Sequence, residues 1–110
     1  MESILTSVKA YIGPSADYDV FDPILIAHIN SVFVILNQLG VGPKEGFYID
    51  NITAYWEDYL GDPETLAIVR SYMGAKVRLL FDPPSNSTLL NALNQVISEC
   101  EFRLNAEVDR

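Results

Sequence analysis

His28 is the one histidine of the chain and Cys100 its one cysteine, so general-base or thiolate chemistry would have to run through them. Neither has the company such chemistry needs. His28 falls among Leu25, Ile29 and Val32 in a helical pattern, without the paired group that tunes a catalytic imidazole, and reads as a packed or half-exposed side chain. Cys100 lies on an apolar stripe beside Glu99 and Glu101. Burial and neighbouring carboxylates both raise a thiol's pKa, the reverse of activation. Asp17, Asp19 and Asp22 have part of the spacing of a calcium loop. Phe21 takes one ligand slot, however, and the required glycine and later glutamate are missing, so the three read as solvated loop and helix cap. Gly40 and Gly42 precede no lysine-bearing helix that could cradle phosphates. Asn51-Ile52-Thr53 and Asn86-Ser87-Thr88 match the glycosylation pattern by chance and read as capping chemistry. The expectation is therefore no catalytic residue, no metal, no cofactor and no enzyme.

The group Phe47, Tyr48, Ile49, Tyr55, Trp56 and Tyr59 offers recognition instead of catalysis. One reading is a loop folded back on its own core. The other is an arm that packs on a neighbouring molecule, since tyrosine and tryptophan give large contact area at low entropy cost. On the second reading residues 44–58 could be removed without unfolding the rest.

Charge narrows the partners. Fifteen acidic residues face seven basic ones, a formal net charge of −8 over 110 residues. Nucleic-acid affinity comes chiefly from lysine and arginine displacing counterions from phosphates. Here only Arg70, Lys76 and Arg78 stand close enough in sequence to cluster, so sequence-specific DNA or RNA reading is not expected. No apolar run reaches the length of a membrane span, and Met1-Glu2-Ser3-Ile4-Leu5-Thr6 lacks the pattern of a secretory signal. A single cysteine gives no internal disulfide, which points to synthesis in a cytoplasm.

The elements that would position these groups are clearly punctuated. Ile4, Leu5, Val8, Tyr11 and Ile12 recur at helical spacing until Gly13-Pro14. Asp22-Pro23 reads as an N-cap followed by proline in the first turn. From there Leu25, Ile29, Val32, Leu36 and Leu39 make the stripe of a second helix, which Ile26, Phe33 and Val34 widen and Gly40 ends. That helix is too apolar for a solvated surface, and part of it is expected to face another chain. A long loop, about 41–60, follows, with a short extended piece at Phe47-Tyr48-Ile49 and a helical turn or two from Tyr55 to Leu60. Asp62-Pro63 starts a third long stretch that Asp82-Pro83-Pro84 ends. Asn86 or Ser87 caps the last helix, with Leu90, Leu93, Ile97, Cys100 and Leu104 on one face. The expected fold is all-α: one compact domain over 1–110, with three long helices and a shorter N-terminal one.

Several of these stretches resemble a known family. His28-Ile29-Asn30-Ser31 and Leu36-Asn37-Gln38-Leu39-Gly40-Val41-Gly42 look like a helix end and turn of tailed-bacteriophage head–tail connector (adaptor) proteins. Tyr55-Trp56-Glu57-Asp58-Tyr59-Leu60-Gly61-Asp62 is similar to their next segment. Lys76-Val77-Arg78-Leu79-Leu80-Phe81-Asp82-Pro83-Pro84-Ser85-Asn86-Ser87 is the most characteristic stretch, and Glu101-Phe102-Arg103-Leu104-Asn105 resembles their closing helix. The likeness covers about residues 4–109. It implies a virion structural protein, made in the bacterial cytoplasm, that forms a homo-oligomeric ring of about twelve copies by a closing head-to-tail contact. The ring would dock below the portal, meet a tail or stopper protein, and pass DNA without reading its sequence.

On that basis Phe47, Tyr48, Ile49, Tyr55, Trp56, Tyr59, Arg78 and Asp82 are the expected subunit-interface residues. The neighbour would receive the loop on the outward side of the second and third long stretches. Arg103, Asn105, Glu107 and Arg110 are the expected portal-facing ones. Arg78 and Asp82 stand four apart and could form an ion pair if Asp82 keeps helical geometry, worth about half a kcal/mol at a surface. A different class, an acidic helical inhibitor that mimics DNA and binds a host nucleic-acid-binding protein, would need carboxylates spaced along one surface. In this sequence they are dispersed.

Overall fold

In the computed structural model, which describes residues 2–13 and 17–108, Ser3 opens α1 (Ile4–Ile12) by accepting the Thr6 amide on its hydroxyl oxygen at 3.3 Å. Such a cap satisfies one of the donors that every helix start leaves free. Gly13, at φ 120°, closes the helix, while Pro14 of the expected stop lies outside the described residues.

The start of α2 (Asp22–Gln38) departs from the sequence reading. Phe21 holds the cap position and makes no side-chain cap bond, and Asp22 is the first helical residue. Its carboxylate instead receives the Lys9 ammonium at 2.8 Å. The reason is burial: the Lys9 side chain is 1% exposed, and a buried ammonium without its counter-charge costs far more than an unfilled cap. At the other end Leu39 caps the helix. The Val41 amide donates to the Leu36 carbonyl and that of Gly40 to Asn37, at 2.9 and 3.0 Å. With Gly40 at φ 88°, this is the paired closing motif that a left-handed residue permits.

The remaining helices follow their local signals. α3 (Trp56–Tyr59) is a single turn whose Asp58 carboxylate accepts the Tyr55 amide at 2.9 Å. α4 (Pro63–Phe81) starts on Asp62, which accepts the Thr65 amide, and stops where Asp82 leaves helical geometry. α5 (Ser87–Val108) is capped by Asn86, whose Oδ1 accepts the amides of Thr88 and Leu89 at 2.8 and 3.2 Å. The chain is all-helical as expected, without a strand among the described residues.

α4 is the centre of the fold. α1, α2 and α5 all pack on it, and α1 also meets α2. This explains why Val69, Tyr72, Met73, Ala75 and Val77 are fully enclosed. Gly74 makes room for the close approach of α1: a Cβ there would stand 2.6 Å from the Tyr11 ring. That contact justifies a mid-helix glycine, which otherwise weakens a helix by about 1 kcal/mol. The body is compact and flat, 39 × 35 × 20 Å.

Two buried phenols give the core a pH dependence. The Tyr72 hydroxyl donates to Glu101 at 2.7 Å and ties α4 to α5. Its pKa is pushed up by burial and then by the Glu101 hydrogen bond and charge. Burial pushes Tyr59 up to about 12. Both groups hold their protons more tightly folded than unfolded. Their contribution to stability is thus complete below the ordinary phenol value of 10.0 and is lost as pH rises through the folded values. Melting temperature should fall between about pH 10 and 12, and this slope should flatten in a Tyr59→Phe/Tyr72→Phe variant. An equally steep fall in that variant would remove these phenols from the account.

Candidate assembly surfaces

Residues 41–60 form a pinned shelf, with four fastenings, and not a free arm. At its start the Tyr59 hydroxyl donates to the Val41 carbonyl at 3.3 Å. In its middle Asn30 of α2 donates from Nδ2 to the Ile49 carbonyl at 2.8 Å and accepts the Ile49 amide on Oδ1 at 2.7 Å. The side-chain amide thereby does what a neighbouring strand would do for the extended Phe47-Tyr48-Ile49 piece. At its end the Ile4 amide donates to the Ala54 carbonyl at 3.0 Å and the Trp56 amide to Glu2 at 3.3 Å. The Trp56 indole N–H donates to the Ser7 hydroxyl at 2.8 Å, which fixes α3 on α1.

These fastenings sort the expected interface residues. Ile49, Trp56 and Tyr59 are buried in the chain's own core. Phe33 of α2 packs edge-on against Phe47 and tilted against Tyr59, with centroids 5.1 and 4.7 Å apart. Phe47 and Tyr55 are half-buried. Tyr48 alone of the group stands out, 75% exposed. The loop is therefore not removable: deleting 44–58 would take Ile49 and Trp56 out of the core. Asn30, which holds the shelf in place, had no separate role in the sequence reading. Its signal is position, four residues after Ile26 on a largely apolar helix.

The other two interface residues meet differently from the expectation. Arg78 Nε donates to the Asp82 backbone carbonyl at 2.8 Å. Asp82 caps the helix at φ −151° and ψ 71°, so its side chain is not carried on the helix surface where an i, i+4 ion pair forms. Of the expected portal-facing residues, Arg103 pairs with Glu99 at 2.7 Å on the exposed side of α5. Asn105 is exposed and Glu107 half-buried on the last turns, and Arg110 lies outside the described residues.

Three surfaces carry much of the exposed apolar area. The outward face of α2 presents Ile24, Ala27, Ser31, Val34 and Gln38, spaced three and four apart and all exposed. After Asp22 that helix carries no acidic residue, lysine or arginine. Depletion of charge at a patch centre is the compositional mark of protein–protein contact. Beside it Val34, Phe47 and Tyr48 line a groove of about 410 Å³ between α2 and the shelf, with buried Phe33 and exposed Glu45 also in its lining. At the far end of α2, Phe21 meets Phe81 edge to face at 5.2 Å and Tyr18 at a tilt at 5.5 Å, flanked by exposed Val20, Ile24 and Leu80. The third is Phe102 on α5, 76% exposed.

The groups weighed for chemistry stay apart. His28 is half-buried on α2. Cys100 is buried, and burial and then Glu99 push its thiol pKa up. No three of the described His, Cys, Asp and Glu residues stand close enough to hold a metal ion, and no described helix is long and apolar enough to cross a membrane.

A flat helical body with a pinned aromatic shelf and a charge-free outer face on α2 fits the class of small structural subunits that work by contact with other chains. The comparison with protein families is specific: a family model described as "Phage connector protein" matches residues 4–110, and the chain belongs to that family. Searches of curated proteins and of solved structures returned no match.

Proposed function

We propose that the chain is a virion structural subunit that joins like copies into a ring below the portal, lengthening the DNA channel from head to tail. The observation that carries this reading is the charge-free outer face of α2 beside the Tyr48 groove, within a chain that belongs to the phage connector family. So much exposed apolar surface on a body this small favours burial against another chain. The shelf supplies one face of the contact, through Tyr48, Phe47 and the exposed edge of Tyr55, while Ile49, Trp56 and Tyr59 hold it rigid from inside. Arg78 and Asp82 stand at the end of α4 beside the Phe21–Phe81 patch, as part of the side turned to a neighbour. The last turns of α5, with Asn105 and Glu107, face the portal, and the tail or stopper protein meets the opposite side of the ring.

The acidic balance suits such a place. Seven basic residues against fifteen acidic ones leave little to hold phosphates, so DNA would pass without being retained. The test is to mix the protein with its cognate portal and image the product by electron microscopy. An added ring at one end of the portal is the expected result. Portal particles without added density, at protein concentrations that saturate any specific contact, would end the proposal.

A further inference from the structure

We infer that neighbouring copies meet with Phe102 of one seated in the Val34–Phe47–Tyr48 groove of the next, and with Arg103 of the first paired to Glu45 in the groove lining. This rests on the ring reading above and names the surfaces that would close it.

Phe102 stands two residues from both Cys100 and Leu104, which are buried against α4. At about 100° per residue it points roughly opposite to that buried stripe, straight out from the body. A phenylalanine 76% exposed leaves most of its ring in water. The groove is the complementary shape. It is lined by Val34, Phe47 and Tyr48 with the buried Phe33, and at about 410 Å³ it accepts one aromatic ring with room to spare.

Placement fits a head-to-tail contact. The groove belongs to α2 and the shelf, Phe102 to α5, and α2 and α5 occupy two flanks of α4. A subunit that joins a closed ring needs two different faces, one to give and one to receive.

Charge fixes the register. The shelf carries Glu45, Asp50, Glu57 and Asp58 against Lys44 alone, so its surface is acidic and its preferred visitor cationic. Arg103 is the one basic residue of α5 and follows Phe102 directly. Its present partner Glu99 is an exposed i, i+4 contact with the Arg103 side chain 61% accessible, a pairing weak enough to exchange for one across an interface. This assignment moves Arg103 from the portal-facing group to the subunit contact. Asn105 and Glu107 keep their portal-facing place, one turn further along.

The test is disulfide trapping in the assembled ring. Tyr48→Cys/Phe102→Cys, made in a Cys100→Ser background so that the native thiol cannot interfere, is assembled on portal and oxidised. A ladder of covalent multimers is the expected product, and neither single cysteine variant should extend beyond a dimer. In parallel Glu45→Arg and Arg103→Glu should each reduce ring formation at least tenfold, and the two combined in one chain should recover it. Rings on the portal without a ladder and without charge-swap recovery would overturn this contact and leave the ring reading standing. No rings from the unaltered chain would overturn both.

Discussion

Trp56→Ala is expected to lower stability by about 3–5 kcal/mol, the range for removing a buried tryptophan. Trp56 is 1% exposed. Its indole N–H is satisfied by Ser7, the Arg70 guanidinium lies over its ring at 5.7 Å, and Phe33 is 6.5 Å away centroid to centroid. Truncation would open a cavity where α1, α2 and α3 meet and release the Ser3–Tyr55 pairing that closes the shelf. Domains of this size hold roughly 5–15 kcal/mol, so the loss would take from about a fifth of the normal margin to all of it. The measurement is chemical denaturation followed by far-UV circular dichroism, since the chain has one tryptophan and loses that fluorescence signal with it. Trp56→Phe, which keeps most of the volume and gives up the hydrogen bond, should cost about 1–2 kcal/mol. A Trp56→Ala protein as stable as the parent would mean that the 41–60 segment is a detachable arm in solution, and the account of the shelf would have to be abandoned.

That contrast marks where sequence is informative and where it stops. The helix ends were legible at Asp62-Pro63, Gly40, Asp82-Pro83 and Asn86, because capping depends on residues within one turn of each other. The all-helical class followed from stripes such as Leu25, Ile29, Val32 and Leu36. The aromatic segment was legible as a special place but not in its direction. Whether Trp56 or Tyr48 turns inward is decided by partners far off in sequence: Ser7 for the indole, Asn30 for the Ile49 backbone, Glu2 for the Trp56 amide. Composition gives all of these aromatics the same contact value. Tertiary hydrogen bonds then divide them into a buried support and one exposed tyrosine.

The same division explains why a rigid shelf suits an assembly surface better than a flexible arm. Ordering a loop upon association costs free energy that must come out of the contact itself. Here the backbone around Tyr48 is already held on one side by Asn30 and on the other by the N-terminal segment, so a partner docking as proposed would meet a surface that is formed beforehand. Phe33 of the groove lining belongs to the same ring cluster that anchors Phe47 and Tyr59. Core and proposed contact surface are therefore one structure, and mutations that loosen the first should also weaken the second.

The second large effect is expected at the Lys9–Asp22 pair, where Asp22→Ala should cost roughly 3 kcal/mol by leaving a buried ammonium without its carboxylate. Lys9 is 1% exposed and Asp22 22%, so the two changes are not equivalent. Lys9→Met removes the buried charge along with its partner's need to compensate it, and Asp22 can turn to water; that variant should lose only about 1 kcal/mol. In the combination Lys9→Met/Asp22→Ala the cost should be well below the sum of the singles, with a coupling of about 2 kcal/mol in a double-mutant cycle read by urea denaturation. Additive losses would show that the 2.8 Å contact contributes nothing specific. The sequence hint was spacing: Lys9 follows Leu5 by four and so sits on the apolar side of α1. A lysine there is tolerated because the first residue of α2 brings it a carboxylate. The pair consequently fixes how the two helices join across the intervening turn, and with it the base on which Phe21 and Ile24 are presented.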